Sequence, residues 1–368
     1  MWIVPLVAAV VAVASALLGH TTPSLALYDT LRPLEHNQAL ANRTVWVTGA
    51  SSGIGAALVC QLNALGNVKH IVLSARNVTR MQKVIDDCTQ QHTSNTTFSI
   101  VPYDALNEIE DYAASVVEQA IASTPDQMID TVVLATGVYQ LQPAAQATTT
   151  DRHRLWRTNF HAAVDLTQAW AEWVQRKTLE KNIDAQQSTP LQTYHLVVLS
   201  SIMAKGPHAL CSTYAATKAA LVSYFSTWAA EHANHWRVQL VLPGATATAF
   251  WQHAEENEAA NAVDTNTAIH YNPAVMVTPQ RVARLTVQAM RAPRWFFQIW
   301  ISNFDGLLYV WMSHYLPGLF HAINHYAVAP LRQAAFAKDR SDLTTMLELG
   351  RFVFDEYVWS NGENSEEL

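Results

Sequence analysis

Cysteine is scarce in this chain: Cys60, Cys88 and Cys211 are the only three in 368 residues. No two stand as C-x-x-C and none joins a His or Cys cluster at zinc spacing, so the sequence offers no structural metal and no disulfide scaffold. They read as ordinary buried or half-buried thiols. Charge is scarce too, at 14% of residues, and it sums to −7. Without a basic excess there is no electrostatic footprint for nucleic acid. The 15 His are scattered, without carboxylates in a ligand pattern, and no internal repeat is present.

Apolar residues, in contrast, make up 50% of the chain and include 12 Trp, with the excess at the two ends. The uncharged run Trp2 to Leu18 spans ~26 Å as a helix, just short of the ~30 Å hydrocarbon core. It is expected to act as an N-terminal membrane anchor over 1–20. No Lys or Arg precedes it, which argues against a cleaved signal, although Ser24-Leu25-Ala26 offers a small-residue cleavage site. A buried soluble helix is the remaining alternative. Trp295 to Ala329 is rich in Trp, Tyr and Phe but is interrupted by Asp305, Gly306, Pro317 and Gly318. Those interruptions spoil a span and suit an amphipathic segment lying on a bilayer. Its alternative is a wall closing a substrate pocket or a dimer contact. The expected organisation is therefore an anchor at 1–20, a catalytic domain at 40–292 and a membrane-associated extension with a polar tail at 293–368.

Between the ends, short β-branched runs alternate with longer helical patterns, the signature of βαβ units. Strands are expected at Thr44–Thr48, His70–Ser74, Ser99–Tyr103, Thr131–Ala135, His195–Ser200 and Val238–Leu242. Their near-continuous apolar runs suit parallel strands buried on both faces. Helices are expected at Gly53–Leu65, Ile109–Ser123, Asp151–Lys177, Ser212–His232 and Pro279–Arg291. The fold class is α/β, a Rossmann-type doubly wound parallel sheet in one domain. Polar residues from Lys177 to Thr193 read as a surface insertion, and Ala249 to Val277 as a mobile lid.

The first strand runs directly into Gly49-Ala50-Ser51-Ser52-Gly53-Ile54-Gly55 and then into an apolar helix. Glycines admit a pyrophosphate close to the backbone, and the helix N-terminus holds its charge, so Gly49, Ser51, Ser52, Gly53, Ile54 and Gly55 are candidate cofactor-binding residues. The second strand ends Leu73-Ser74-Ala75-Arg76, with no acid for an adenine ribose 2′-OH. Arg76 offers a planar cation suited to a 2′-phosphate, which favours NADP(H). After the fifth strand stands Ser201, and thirteen residues later Tyr214-Ala-Ala-Thr-Lys218. Spaced by four, Tyr214 and Lys218 share a helix face, and an adjacent ammonium lowers a phenol pKa towards a general acid/base.

Taken together, these motifs resemble the short-chain dehydrogenase/reductase family over most of Thr44 to Met290, in its membrane-associated branch. The resemblance implies that Ser201 orients substrate, Tyr214 is the catalytic acid/base and Lys218 binds the nicotinamide ribose. Asn159, in Arg157-Thr158-Asn159-Phe160, matches the fourth catalytic member, which supports a water on the proton relay. Asp104 matches the residue that contacts adenine. Pro243, Gly244, Thr246 and Thr248 match the Pro-Gly turn on the carboxamide side of nicotinamide. One departure stands out: where the family usually has Asn-Asn-Ala-Gly, this chain has Leu134-Ala135-Thr136-Gly137. The implied reaction is reversible hydride transfer between NADP(H) and a carbonyl or secondary alcohol of a lipophilic substrate such as a retinoid, steroid or keto-lipid. The alternatives are a 3-ketosphinganine-reductase-like enzyme of lipid synthesis and a catalytically silent cofactor-binding membrane scaffold. Ala215, Ala219 and Ala220 offer a small-residue face for a homodimer. Asn77-Val78-Thr79 is a glycosylation sequon beside Arg76, where a glycan would crowd the phosphate site. On that ground the domain is expected on the cytosolic face of the endoplasmic reticulum, with Asn42 and Asn95 as two further sequons.

Overall fold

The computed structural model describes residues 39–184, 193–248, 276–292, 294, 297–330 and 333. Seven strands lie in one parallel sheet: β1 (Thr44–Thr48), β2 (His70–Ala75), β3 (Thr97–Pro102), β4 (Thr131–Leu134), β5 (Tyr194–Leu199), β6 (Trp236–Pro243) and β7 (Gln298–Ile301). Their order is β3-β2-β1-β4-β5-β6-β7. Successive side chains of a strand point to opposite faces, so a parallel sheet needs apolar residues on both. Val45, Val47, Ile71, Leu73, Val133, Val197 and Val241 meet one helical layer. Trp46, Val72, Val132, Leu196, Val198 and Leu240 meet the other.

The first layer is built from α1 (Gly53–Ala64), α2 (Val78–Gln91) and α7 (Pro279–Arg291). The second is built from α3 (Tyr112–Ala122), α5 (Ala162–Asp184) and α6 (Ser212–Glu231), with α4 (Thr149–Trp156) beside them. Local chemistry starts several of these helices. Thr148 and Asp151 form a reciprocal capping box on α4. Thr278 accepts from Arg281 N at 3.2 Å, and Pro279 opens α7 where its missing N–H costs nothing.

Four expectations need correction. Cys60 on α1 and Cys88 on α2 are not ordinary thiols but are joined as a disulfide, with Cα atoms 4.8 Å apart. The two stand 28 residues apart on neighbouring helices, so no short spacing motif announces the pair. Cys211, outside this disulfide, is buried. The sheet does not stop before 293: β7 belongs to it, and Ile299, Trp300 and Ile301 are buried. Aromatic composition alone does not separate a core edge strand from a bilayer-surface segment, because both favour large rings. The expected helix Asp151–Lys177 is interrupted by a wider π-helical turn at Arg157–His161, and α5 runs on to Asp184, into the expected insertion.

The anchor at 1–20, residues 249–275 of the expected lid and the tail beyond 333 lie outside the described residues. Among the described residues no helix is long and apolar enough to cross a membrane. Beyond β7 come α8 (Phe304–Tyr315), α9 (Pro317–Ile323) and a π-helical turn at Asn324–Val328.

Candidate active site

The strand order reverses direction between β1 and β4, and in such sheets ligands bind at the carboxyl edge of that switch point. The glycine turn lies there. Gly49 (φ +66°) and Gly53 (φ +57°) adopt left-handed backbone that side-chain-bearing residues avoid. A Cβ on Gly49 would stand 2.8 Å from Ala135 O, and one on Gly55 would stand 2.2 Å from Gly49 O. Gly53 faces Thr248, whose Cγ2 would lie 3.3 Å from an added Cβ, so the Pro243–Thr248 turn closes the far side of the same groove. Ser52 N-caps α1 without a side-chain hydrogen bond. Ser51 and Ile54 complete this turn, half-buried. Thr136 Oγ1, buried at the family departure, has no hydrogen-bond partner among the described residues. An orphaned hydroxyl beside a glycine cradle at a helix N-terminus fits a dinucleotide.

The other expected cofactor residues flank this groove. Arg76 follows directly on the last residue of β2 and is exposed. Asp104 stands two residues past β3, where its Oδ1 accepts from Leu106 N at 3.1 Å and its own N–H donates to Tyr112 Oη at 2.9 Å. Thr246 Oγ1 donates to Gly244 O at 2.9 Å, and a Cβ on Gly244 would meet Ser302 Oγ at 2.1 Å. The Pro-Gly turn is therefore wedged against the end of β7.

Ser201, two residues past β5, and Tyr214, on the first turn of α6, are both buried and hydrogen-bonded to each other. Ser201 Oγ also accepts from Met203 N at 3.2 Å, which caps the short turn Ile202–Lys205. Asn159 sits in the π-helical turn and is fully enclosed. Its Oδ1 accepts from Val138 N at 2.7 Å, and its Nδ2 donates to Val138 O at 3.0 Å and Thr217 Oγ1 at 3.1 Å. Thr217 Oγ1 donates in turn to Tyr214 O at 2.7 Å. Asn159 thus staples the segment after β4 to the helix that carries Tyr214.

Lys218 corrects the expected electrostatics. Its Nζ donates to Leu199 O at 3.1 Å and lies over the Tyr214 ring, 5.8 Å from the centroid. Burial raises the Tyr214 phenol well above its ordinary 10, and the Ser201 hydrogen bond only partly opposes it. Burial also depresses Lys218 itself, to about 8. Desolvation wins in both cases: the Ser201 hydrogen bond is too weak to offset it at Tyr214, and burial alone acts on Lys218.

Sequence reasoning missed the walls of the site. Tyr139 packs edge-on against Tyr214 at 4.9 Å between ring centroids, and its hydroxyl lies 2.9 Å from Cys211 Sγ. Leu155 and Met276 complete this apolar cluster, with Met203 and Ala247 packed against it. From beyond residue 292, Tyr309 donates to Pro207 O and Ser313 Oγ donates to Lys205 O at 3.0 Å. Part of the aromatic run therefore packs against the turn that follows Ser201. The only advance signal for Tyr139 is its place two residues after Gly137.

Residues 43–259 match the short chain dehydrogenase family. The chain belongs to that family. It is accordingly an oxidoreductase of the CH–OH/C=O couple. Dehydrogenase/reductase SDR family member 7 of Mus musculus is 26% identical over 281 residues, 76% of this chain and 75% of the relative. A 3-ketodihydrosphingosine reductase of Neurospora crassa is 24% identical over 280 residues, 72% of this chain and 71% of the relative. A solved 3-oxoacyl (acyl-carrier-protein) reductase from Agrobacterium tumefaciens, with NADP bound, is 20% identical with a TM-score of 0.55, covering 75% of this chain and 98% of that one. At that identity the likeness speaks for the fold. Within this dehydrogenase the expected four-residue constellation is gathered on three neighbouring elements: the turn after β5, the π-helical turn and α6.

Lys218 is expected to lose its proton as pH rises through about 8, against 10.5 for a solvated lysine. Between those two values the unfolded chain holds the proton and the folded one does not, so this group makes stability rise with pH there. NMR of side-chain-labelled lysines, with Lys218→Met to assign the signal, reads the midpoint. A value near 10.5 would show that burial does not govern the site.

Proposed function

We propose that the chain is an NADP(H)-dependent oxidoreductase that moves a hydride between nicotinamide C4 and the carbonyl or carbinol carbon of a lipophilic substrate, working at a membrane, that of the endoplasmic reticulum. The observation that carries this reading is the buried Tyr214 phenol, hydrogen-bonded to Ser201 and walled by Tyr139, Leu155, Cys211 and Met276. A charge-free wall around a proton donor suits a substrate whose one polar group is the reacting oxygen.

In reduction, Tyr214 Oη delivers its proton to the substrate oxygen; in oxidation it takes one back. A phenol raised by burial stays protonated at neutral pH, the form that reduction requires. Ser201 Oγ hydrogen-bonds the same oxygen, where negative charge develops. Lys218 would hold the nicotinamide ribose, and Asn159 would support the relay water while it fixes α6 against Val138. The dinucleotide, when bound, supplies or accepts the hydride. Gly49, Ser51, Ser52, Gly53, Ile54 and Gly55 would hold its pyrophosphate, Arg76 its 2′-phosphate, Asp104 its adenine side, and Pro243, Gly244, Thr246 and Thr248 its carboxamide side.

Membrane association is supported by the exposed Leu308 on α8, Leu316 between the two helices and Leu319 on α9, along with Tyr326 beyond them. A homodimer through Ala215, Ala219 and Ala220 belongs to the same proposal, and all three are half-buried on α6. A second reading, 3-ketosphinganine-type reduction, is favoured by the Neurospora crassa relative.

NADPH oxidation is expected with retinal, keto-steroid or long-chain keto-lipid substrates, and not with sugars of similar carbonyl reactivity. Turnover on 3-ketosphinganine alone would select the second reading, and turnover confined to sugars would reject both. Tyr214→Phe is expected to abolish hydride transfer while leaving NADPH binding near wild type, since it removes one proton donor and almost no contact area. Retention of a large fraction of the rate in that variant would remove Tyr214 from the mechanism. Arg76→Ala is expected to weaken NADPH binding by ~2 to 4 kcal/mol, the worth of a charge-assisted pair of hydrogen bonds, and NADH binding little. An unchanged NADPH to NADH affinity ratio in that variant would exclude Arg76 as the selector.

A further inference from the structure

Three sequons lie at different ends of the sheet, and a disulfide lies between two of them in sequence. Asn42-Arg43-Thr44 leads into β1, and Asn95-Thr96-Thr97 leads into β3. In a parallel sheet both positions fall on the amino edge, opposite the glycine turn, Ser201 and the Pro243 turn, which all follow carboxyl ends. Asn77 instead follows β2, on the cofactor edge beside Arg76, and its Oδ1 accepts from Arg80 N at 2.9 Å to cap α2.

The turn that presents Asn95 is firmly held. Buried Asn63 donates through Nδ2 to Cys88 O at 3.2 Å and His92 O at 2.8 Å, and it accepts from Ser94 Oγ at 2.5 Å. Thr96 Oγ1 donates to Val68 O at 2.8 Å. The Asn95 residue itself remains exposed. Asn42 is also exposed, with its backbone N–H donating to Asn67 O at 2.8 Å. A large glycan on either residue projects away from the cofactor groove, whereas one on Asn77 would lie across it. The Cys60–Cys88 bond is an independent observation with the same direction, since disulfides persist in oxidising compartments.

We infer that the catalytic domain faces the lumen of the secretory pathway, with Asn42 and Asn95 carrying N-linked glycans and Asn77 bare in the active enzyme. This reverses the cytosolic expectation, which rested on Asn77 alone. At each acceptor, Nδ2 forms a bond to C1 of the sugar of a lipid-linked oligosaccharide pyrophosphate. The C1–O bond breaks, the pyrophosphate leaves with its electron pair, and Nδ2 gives up a proton. Cys60 and Cys88 each lose a proton, and their two electrons pass to the disulfide of an oxidising thiol carrier, which leaves as a dithiol.

The test uses the full chain produced in eukaryotic cells and the active fraction purified. Treatment with peptide-N-glycosidase is expected to shift its mobility by two glycan steps. Asn42→Gln and Asn95→Gln are each expected to remove one step, the double variant both, and Asn77→Gln none. Because the glycan is read on the denatured chain, a variant that folds poorly still reports. In the denatured wild type a maleimide mass tag is expected to reach Cys211 at once, and Cys60 and Cys88 only after reduction. No shift with glycosidase, or tagging of Cys60 and Cys88 before reduction, would each overturn the lumenal assignment, and a step lost in Asn77→Gln would overturn the claim that Asn77 stays bare. These readouts do not depend on turnover, so they stand or fall apart from the proposed substrate class.

Discussion

Gly55 has no room for a side chain, and the geometry of the site depends on that contact. With a Cβ there only 2.2 Å from the Gly49 carbonyl oxygen, any other residue would push the start of α1 away from the end of β1. Gly49 is similarly pressed on Ala135, past the end of β4. The two contacts draw α1, β1 and β4 together at the switch point of the sheet, so the α1 N-terminus opens into the crevice there. Parallel pairing does the rest. Because every strand ends on the same edge, the turns carrying Thr136, Ser201, Gly244 and Ser302 are neighbours, although they are far apart in the chain.

A second constraint is that polar chemistry is kept in a nearly dry place. Asn159, Ser201, Tyr214, Thr217 and Lys218 are all buried, yet each makes a hydrogen bond within the protein. A buried polar group without a partner costs about 1 to 3 kcal/mol, so this network holds α6 and the π-helical turn in one arrangement. The same dryness displaces both titrations away from the charged forms: the phenol keeps its proton and the lysine gives its proton up more readily.

The motifs were legible in the sequence because each depends on local chemistry. The glycine turn was readable from φ requirements and helix polarity, Tyr214 and Lys218 from helical spacing, and the six strands from apolar runs correct to within a few residues. The seventh strand was not readable, since Gln298–Ile301 is four residues long inside an aromatic stretch that satisfies two different environments. Nor was the Cys60–Cys88 bond, which requires α1 and α2 to lie side by side.

By itself, then, the sequence determined the α/β class, the dehydrogenase constellation and the cation at the end of β2, because short-range spacing encodes all three. Only the tertiary structure decided that Tyr139 lies on Tyr214, that Lys218 sits over the ring with burial as the dominant influence, and that Asn42 and Asn95 share the edge remote from the site. The reason is physical. Desolvation and edge-to-edge placement are properties of the packed sheet, set by which helices cover it and where its strands begin, and no window along the chain contains them.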